Sequence, residues 1–201
     1  MMRLVFSLCI FVAGHALQAQ SLEFMAGNNG LFADVQWLKF LDQNHRWSIF
    51  SRTRATVDYD NNTDLFTGAY FNFTTNVGIG ASLVGKINSA EGSVDAGAHI
   101  FKAKENWMLF GLASAGLKSD LEYNWFSIFR YTPKLGARWH LYTSLELFTV
   151  FIKNDHVASV QRLRAGLDYR SLQFGPALNL AQLGADFRTS HNFGGFIRKS
   201  F

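Results

Sequence analysis

The sequence predicts an all-β chain folded as a transmembrane, antiparallel, up-and-down β-barrel of about twelve strands with short loops, on three observations. Apolar residues recur at every second position through successive segments, short turn-forming clusters separate the segments, and aromatic residues gather at the ends of the apolar faces. Composition agrees with this class. At 48% hydrophobic and 17% charged the chain is apolar for a water-soluble protein, and 20 Phe and 17 Gly against 2 Pro exclude collagenous and Pro-rich classes. An aromatic fraction of 15% excludes disorder.

Residues 1–20 are set aside first. Arg3, the apolar run Leu4 to Ala13 and the small residues of Ala16-Leu17-Gln18-Ala19-Gln20 describe a signal peptide that is removed after Ala19 or Gln20, leaving 21–201 as one barrel domain. The run is too short to span a bilayer as a helix. A lipidation site at Cys9 does not fit, because no small residue precedes it and the apolar run continues through Ile10-Phe11-Val12-Ala13. Cys9 is the single cysteine, so the remaining chain holds neither a disulfide nor a thiolate metal site. Loss of Arg3 lowers the formal charge of +4 by one, a mild basicity without a nucleic-acid signal.

The strands are expected near 21–28, 31–41, 46–59, 64–75, 77–88, 93–103, 107–119, 120–132, 138–151, 157–170, 172–182 and 192–201. The segment from Trp47 is typical: Trp47, Ile49, Ser51, Thr53, Ala55, Val57 and Tyr59 form one face, and Ser48, Phe50, Arg52, Arg54, Thr56 and Asp58 the other. Breaks such as Asp60-Asn61-Asn62-Thr63 and Lys153-Asn154-Asp155-His156 carry hairpin chemistry. An even count places both termini on one side of the membrane. The first strand is the least supported, since Asn28-Asn29-Gly30 leaves little room; without it, ten strands is the next even number.

A soluble sandwich or lipocalin-like barrel would share the alternation, so strand length and aromatic placement decide between them. These segments are long enough to cross a bilayer at a tilt, for which about nine to eleven residues suffice. Trp47, Tyr59, Trp107, Tyr123, Trp125, Tyr131, Trp139 and Tyr169 stand near the ends of the apolar faces, as a membrane-interface girdle requires.

The chain ends Asn192-Phe193-Gly194-Gly195-Phe196-Ile197-Arg198-Lys199-Ser200-Phe201, with Phe193, Gly195, Ile197 and Phe201 on one face. This resembles the terminal strand of outer-membrane β-barrel proteins of Gram-negative bacteria, in which an aromatic last residue and alternating apolar positions are read by the barrel assembly machinery. Lys199 departs from the apolar residue usual at its position. The resemblance implies an outer-membrane location with both termini periplasmic, and contacts with outer-membrane lipid, lipopolysaccharide and that machinery. It implies nothing about solutes.

With one face assigned to lipid, the other lines the lumen, where Arg52, Arg54, Arg130, His140, Glu146, Arg162, Arg164 and Asp168 form a charge network or constriction. A connection centred near Asn154 sets Glu146 opposite Arg162 and His140 opposite Asp168; one centred near Leu135 sets Arg130 opposite His140. Two clusters are expected, Arg130-His140-Asp168 toward the periplasmic end and Glu146-Arg162-Arg164 at mid-depth. Bulky Phe50, Tyr70, Phe126, Tyr142 and Phe196 make the lumen narrow or closed.

The function expected is a small porin-like diffusion channel with a narrow, partly basic lumen that favours small anionic solutes. The alternative is a closed barrel serving as a structural or partner subunit of an envelope assembly. A lipid hydrolase, which on such barrels sets serine and histidine on the lipid face, finds less support. His140 and Ser144 face inward and stand about 13 Å apart. Ser51 and Ser127 lack a histidine neighbour, and strand alternation puts His156 and Ser159 on opposite faces. No enzyme activity, cofactor, metal site or nucleic-acid partner is expected. The connections are short, with Gln182 to His191 the longest.

Overall fold

A computed structural model describes residues 20–60, 62–89, 92–117 and 122–201. The expected signal segment, and residues 118–121 where two predicted strands were to meet, lie outside the described residues. Twelve strands form a closed antiparallel barrel: β1 (Ser21–Gly27), β2 (Gly30–Phe40), β3 (Trp47–Asp58), β4 (Thr63–Thr74), β5 (Ile79–Asn88), β6 (Gly92–Lys104), β7 (Trp107–Gly116), β8 (Glu122–Tyr131), β9 (Trp139–Ile152), β10 (Asp155–Tyr169), β11 (Leu172–Leu183) and β12 (Arg188–Ser200). Each pairs with its sequence neighbours, and β12 closes on β1 with Phe24 opposite Ile197 and Met25 opposite Phe196.

The first strand does form, so the count is twelve rather than ten. Its turn is fastened to the last strand, where Asn28 Oδ1 accepts the Phe193 N–H at 2.7 Å and Asn192 Oδ1 accepts the Asn29 N–H at 3.0 Å. Side-chain bonds across the closing seam hold what a short strand would not hold by ladder pairing alone.

Four of the hairpins among the described residues turn in two residues, 28–29, 105–106, 153–154 and 170–171. Lys153 and Asn154 between β9 and β10, and Arg170 and Ser171 between β10 and β11, all have positive φ, the backbone that lets a two-residue turn match strand twist. At the β11–β12 connection the expectation needs correction. β12 begins at Arg188 rather than at 192, and the loop is only residues 184–187. Ala181, Gln182 and Leu183 pair with Ser190, Thr189 and Arg188. A polar stretch reads as loop in the sequence, yet ladder hydrogen bonds need no apolar side chains where a strand rises above the lipid. The longest connection among the described residues is 132–138, at the end of the barrel that carries the termini.

Burial is inverted relative to a soluble protein. Asp34 and Asp95 are each 1% exposed and Arg52 3%, whereas Phe24, Leu83 and Ile197 are 47%, 48% and 49% exposed. Large apolar residues standing outward on every strand are tolerated only where lipid replaces water. The interior has two packed apolar groups, Met25, Phe32, Tyr142, Ala177 and Phe196 on one side and Tyr70, Val84, Leu112, Phe126 and Ile128 on the other.

Candidate functional site: the charged lumen

The inward positions of β2, β3, β9 and β10 meet at mid-barrel around Glu146. Glu146 Oε1 accepts from Arg162 Nη1 at 2.6 Å and pairs with Arg54 Nη2 at 3.0 Å, while its Oε2 is bonded by Arg52 Nη1. Arg52 also holds Asp34, Nε to Oδ1 at 2.6 Å and Nη2 to Oδ2 at 2.9 Å. Three guanidiniums thus surround two carboxylates. Unpaired, such charges would not be tolerated at this burial, so the cluster is held together by mutual neutralisation with a cationic excess.

The expected pairing of Glu146 with Arg162 is the observed ladder register, as is that of His140 with Asp168. Arg164 belongs elsewhere. Its Nε donates to Glu23 Oε1 at 2.8 Å and its Nη1 to Asn179 Oδ1 at 2.9 Å, and its guanidinium lies over the Phe32 and Phe196 rings. The positions beside it in the ladder are Ala177 and then Gly194, whose small size leaves room to reach β1. Arg198 approaches the same Glu23 at 3.6 Å and donates to Ser21 Oγ and Gln36 Oε1.

Arg130 stands opposite Ser144, not His140. Pro133, which has no N–H for the ladder, instead gives its carbonyl to Leu141 N–H at 3.0 Å, and Lys134 makes an isolated bridge with His140, so the connection consumes more residues than a turn centred at Leu135. Arg130 Nη2 donates to Gln36 Oε1 at 2.9 Å, and Asp168 accepts from Ser171 N–H and Gln173 Nε2. The three residues line one cavity of about 610 Å³ at the termini end without bonding to each other. A second cavity of about 480 Å³ opens beside it and shares Arg130, Arg198 and Ser200. At this mouth Lys134 bonds Glu105 and so holds its carboxyl below the usual range.

Residues absent from the expected network complete it: Glu23, Asp34 and Gln36 on β1 and β2. Alternation from Leu31 through Ala33 and Val35 to Trp37 marks Asp34 and Gln36 as inward, so a signal existed. A separate group on β5, β6 and β8 joins Lys86 Nζ to Asp95 Oδ2 at 2.7 Å and to Glu122 Oε1 at 2.8 Å.

Outside, the aromatic residues form two rims. Trp47, Trp107, Tyr131, Trp139 and Tyr169 lie at the termini end, with Trp139 and Tyr169 ring centroids 4.6 Å apart; Tyr59, Tyr123 and Trp125 lie at the far end. Phe193, Ile197 and Phe201 point outward along β12 and its end. One expectation fails on this face. A β-bulge between His156 and Ala158 makes Val157 an extra residue, so His156 and Ser159 share the outer face, with Nε2 and Oγ 2.9 Å apart.

No protein-family model and no curated protein sequence matches the chain. Solved structures do. The KdgM porin superposes with a TM-score of 0.52 at 10% identity, covering 90% of this chain and 99% of that one. The NanC porin gives 0.52 at 8% identity, covering 90% and 98%. LpxR from Salmonella typhimurium gives 0.51 at 8% identity, covering 90% and 100%. With its ladder of twelve strands closed on itself, apolar outside and charged within, the chain has the fold of the small outer-membrane β-barrel porins.

Proposed function

We propose that this chain is a narrow porin-like channel of the Gram-negative outer membrane, selective for small anionic solutes, with both termini in the periplasm. The observation that carries this reading is the cationic excess around Glu146, where Arg52, Arg54 and Arg162 converge at mid-barrel. In a confined, low-dielectric passage such an imbalance sets ion preference. The cavities at the termini end, edged by Arg130 and Arg198, extend the basic surface outward from it. A barrel of the same fold, the KdgM porin, is known in complex with disordered oligogalacturonate, an anionic sugar chain. On this reading the two aromatic rims anchor the barrel at the membrane interfaces, and β12 with Phe201 carries the assembly signal.

A second reading, a closed barrel acting as a structural partner of an envelope assembly, is favoured by the burial of Arg52 and Asp34 at 3% and 1% exposure. Planar-bilayer recording of the purified barrel separates the two. Small steps with an anion-favouring reversal potential support the channel, and a silent, correctly folded barrel supports the closed form.

A further inference from the structure

We propose that His156 and Ser159 form a catalytic dyad on the outer surface of the barrel that hydrolyses fatty-acyl esters of membrane lipids. The inference rests on the outer-membrane placement above but not on an open lumen.

The bulge at Val157 is what brings the pair together, and the surrounding bonds fix how it is protonated. His156 Nδ1 lies 2.8 Å from the carbonyl oxygen of Gly184. A carbonyl can only accept, so in the neutral imidazole Nδ1 carries the proton and Nε2 presents its lone pair. Ser159 Oγ, 2.9 Å from Nε2, then has that nitrogen as the nearer of two acceptors for its one proton, the other being Thr149 Oγ1. This is the arrangement a serine nucleophile requires: a base in hydrogen-bond reach, itself oriented by a third group. The third group here is backbone. Phe187 stacks on the imidazole with centroids 4.3 Å apart, and Phe151 meets it edge-on at 5.7 Å, so the ring is held as well as bonded.

The position selects the substrate. Across the outer face the ladder sets Trp125, Thr149, Ser159 and Gln182 in one row, and Tyr123, Phe151 and His156 in the next toward the rim. Trp125, Tyr123 and Phe187 are exposed members of the far-end aromatic belt. Such belts lie at headgroup level, where the acyl ester carbonyls of lipids also lie. Thr149, Ser159 and Gln182 are a row of three adjacent polar side chains on the lipid-facing surface, within reach of the aromatic belt. The Thr149 and Ser159 hydroxyls are 3.1 Å apart. Gln182 stands directly across the ladder from Ser159 on the same face, and its side-chain amide is the donor assigned to the oxyanion in this proposal.

In the reaction Ser159 Oγ attacks the ester carbonyl carbon as its proton passes to His156 Nε2. The tetrahedral intermediate collapses with cleavage of the bond to the alcohol oxygen, which takes that proton and leaves. Water then attacks the acyl-serine and gives a proton to Nε2; the fatty acid departs, and the proton returns to Ser159 Oγ. Glycerophospholipid and lipid A both offer such esters, and the assay distinguishes them.

The test uses the mature barrel refolded in detergent, its folding verified by heat-modifiable electrophoretic mobility. It is given mixed micelles of phosphatidylethanolamine or of lipid A, and separately a fluorophosphonate probe. Fatty-acid release from one of the two lipids, with a probe adduct at Ser159, is expected and identifies the substrate. Ser159→Ala and His156→Asn should each reduce release by about a thousandfold or more while mobility is unchanged. No release from either lipid and no adduct in the folded barrel overturns the proposal, as does release that survives Ser159→Ala. Membrane fractionation keeps this separate from the location: a barrel found in the outer membrane yet inert overturns the dyad alone.

Discussion

Arg52 is joined to Asp34 by two hydrogen bonds of 2.6 and 2.9 Å, although the ladder sets Asp34 directly opposite Arg54. The guanidinium leans diagonally to its bidentate partner and keeps Nη1 for Glu146, which is 94 residues away in the sequence. With Arg54, which also pairs with Glu146, Arg52 thereby links the β2–β3 hairpin to the β9–β10 hairpin on the other side of the closing seam.

Glu146→Gln should destabilise the folded barrel by about 3–5 kcal/mol, because it leaves Arg54 and Arg162 buried with their main carboxylate partner removed. The comparison is Glu146→Gln combined with Arg162→Gln, which should recover part of the loss by removing one stranded charge. Urea titration followed by tryptophan fluorescence or gel mobility measures both. Equal stability of Glu146→Gln and the parent would show that these ion pairs are solvated.

Arg54→Gln together with Arg162→Gln should move the reversal potential of any open channel toward cations, since two of the three guanidiniums on Glu146 are lost. Arg164→Gln should move it less, because that arginine is already committed to Glu23. Bilayer recordings under a salt gradient report the order of the two effects; a larger shift from Arg164→Gln would place the constriction elsewhere.

Ala69 stands outward in the middle of β4, opposite Ser51 and Gly85. Ala69→Arg should cost about 2–4 kcal/mol in a bilayer, while Ala69→Leu, of similar added bulk, should be neutral or stabilising. Reversible folding into phosphatidylcholine vesicles gives both values. Equal costs would argue against a lipid-facing exterior.

Deleting Phe201 should strand the exported chain in the periplasm. The residue is 69% exposed and its N–H bonds only the Gln20 carbonyl at 3.0 Å, so its removal leaves the closed ladder of β12 and β1 intact. A defect would therefore report recognition during assembly rather than stability. Fractionation with wild-type yield in the outer membrane would show that the terminal phenylalanine is not read.

The sequence by itself determined what is local. Period-two alternation distinguishes inside from outside along each unbulged stretch of strand, and turn chemistry at Lys153-Asn154 places the β9–β10 hairpin; the two-residue turn alone would set Glu146 opposite Gln161, and the extra residue Val157 advances the ladder by one to Arg162. The tertiary structure alone decided the contacts across the lumen. Arg52 reaches Glu146, and Arg164 reaches Glu23, through barrel closure and strand tilt, which depend on all twelve strands together and leave no trace in any one of them. The His156 and Ser159 pair fell between the two cases: alternation separated them, and a single extra residue at Val157, invisible to a period of two, put both on the same face.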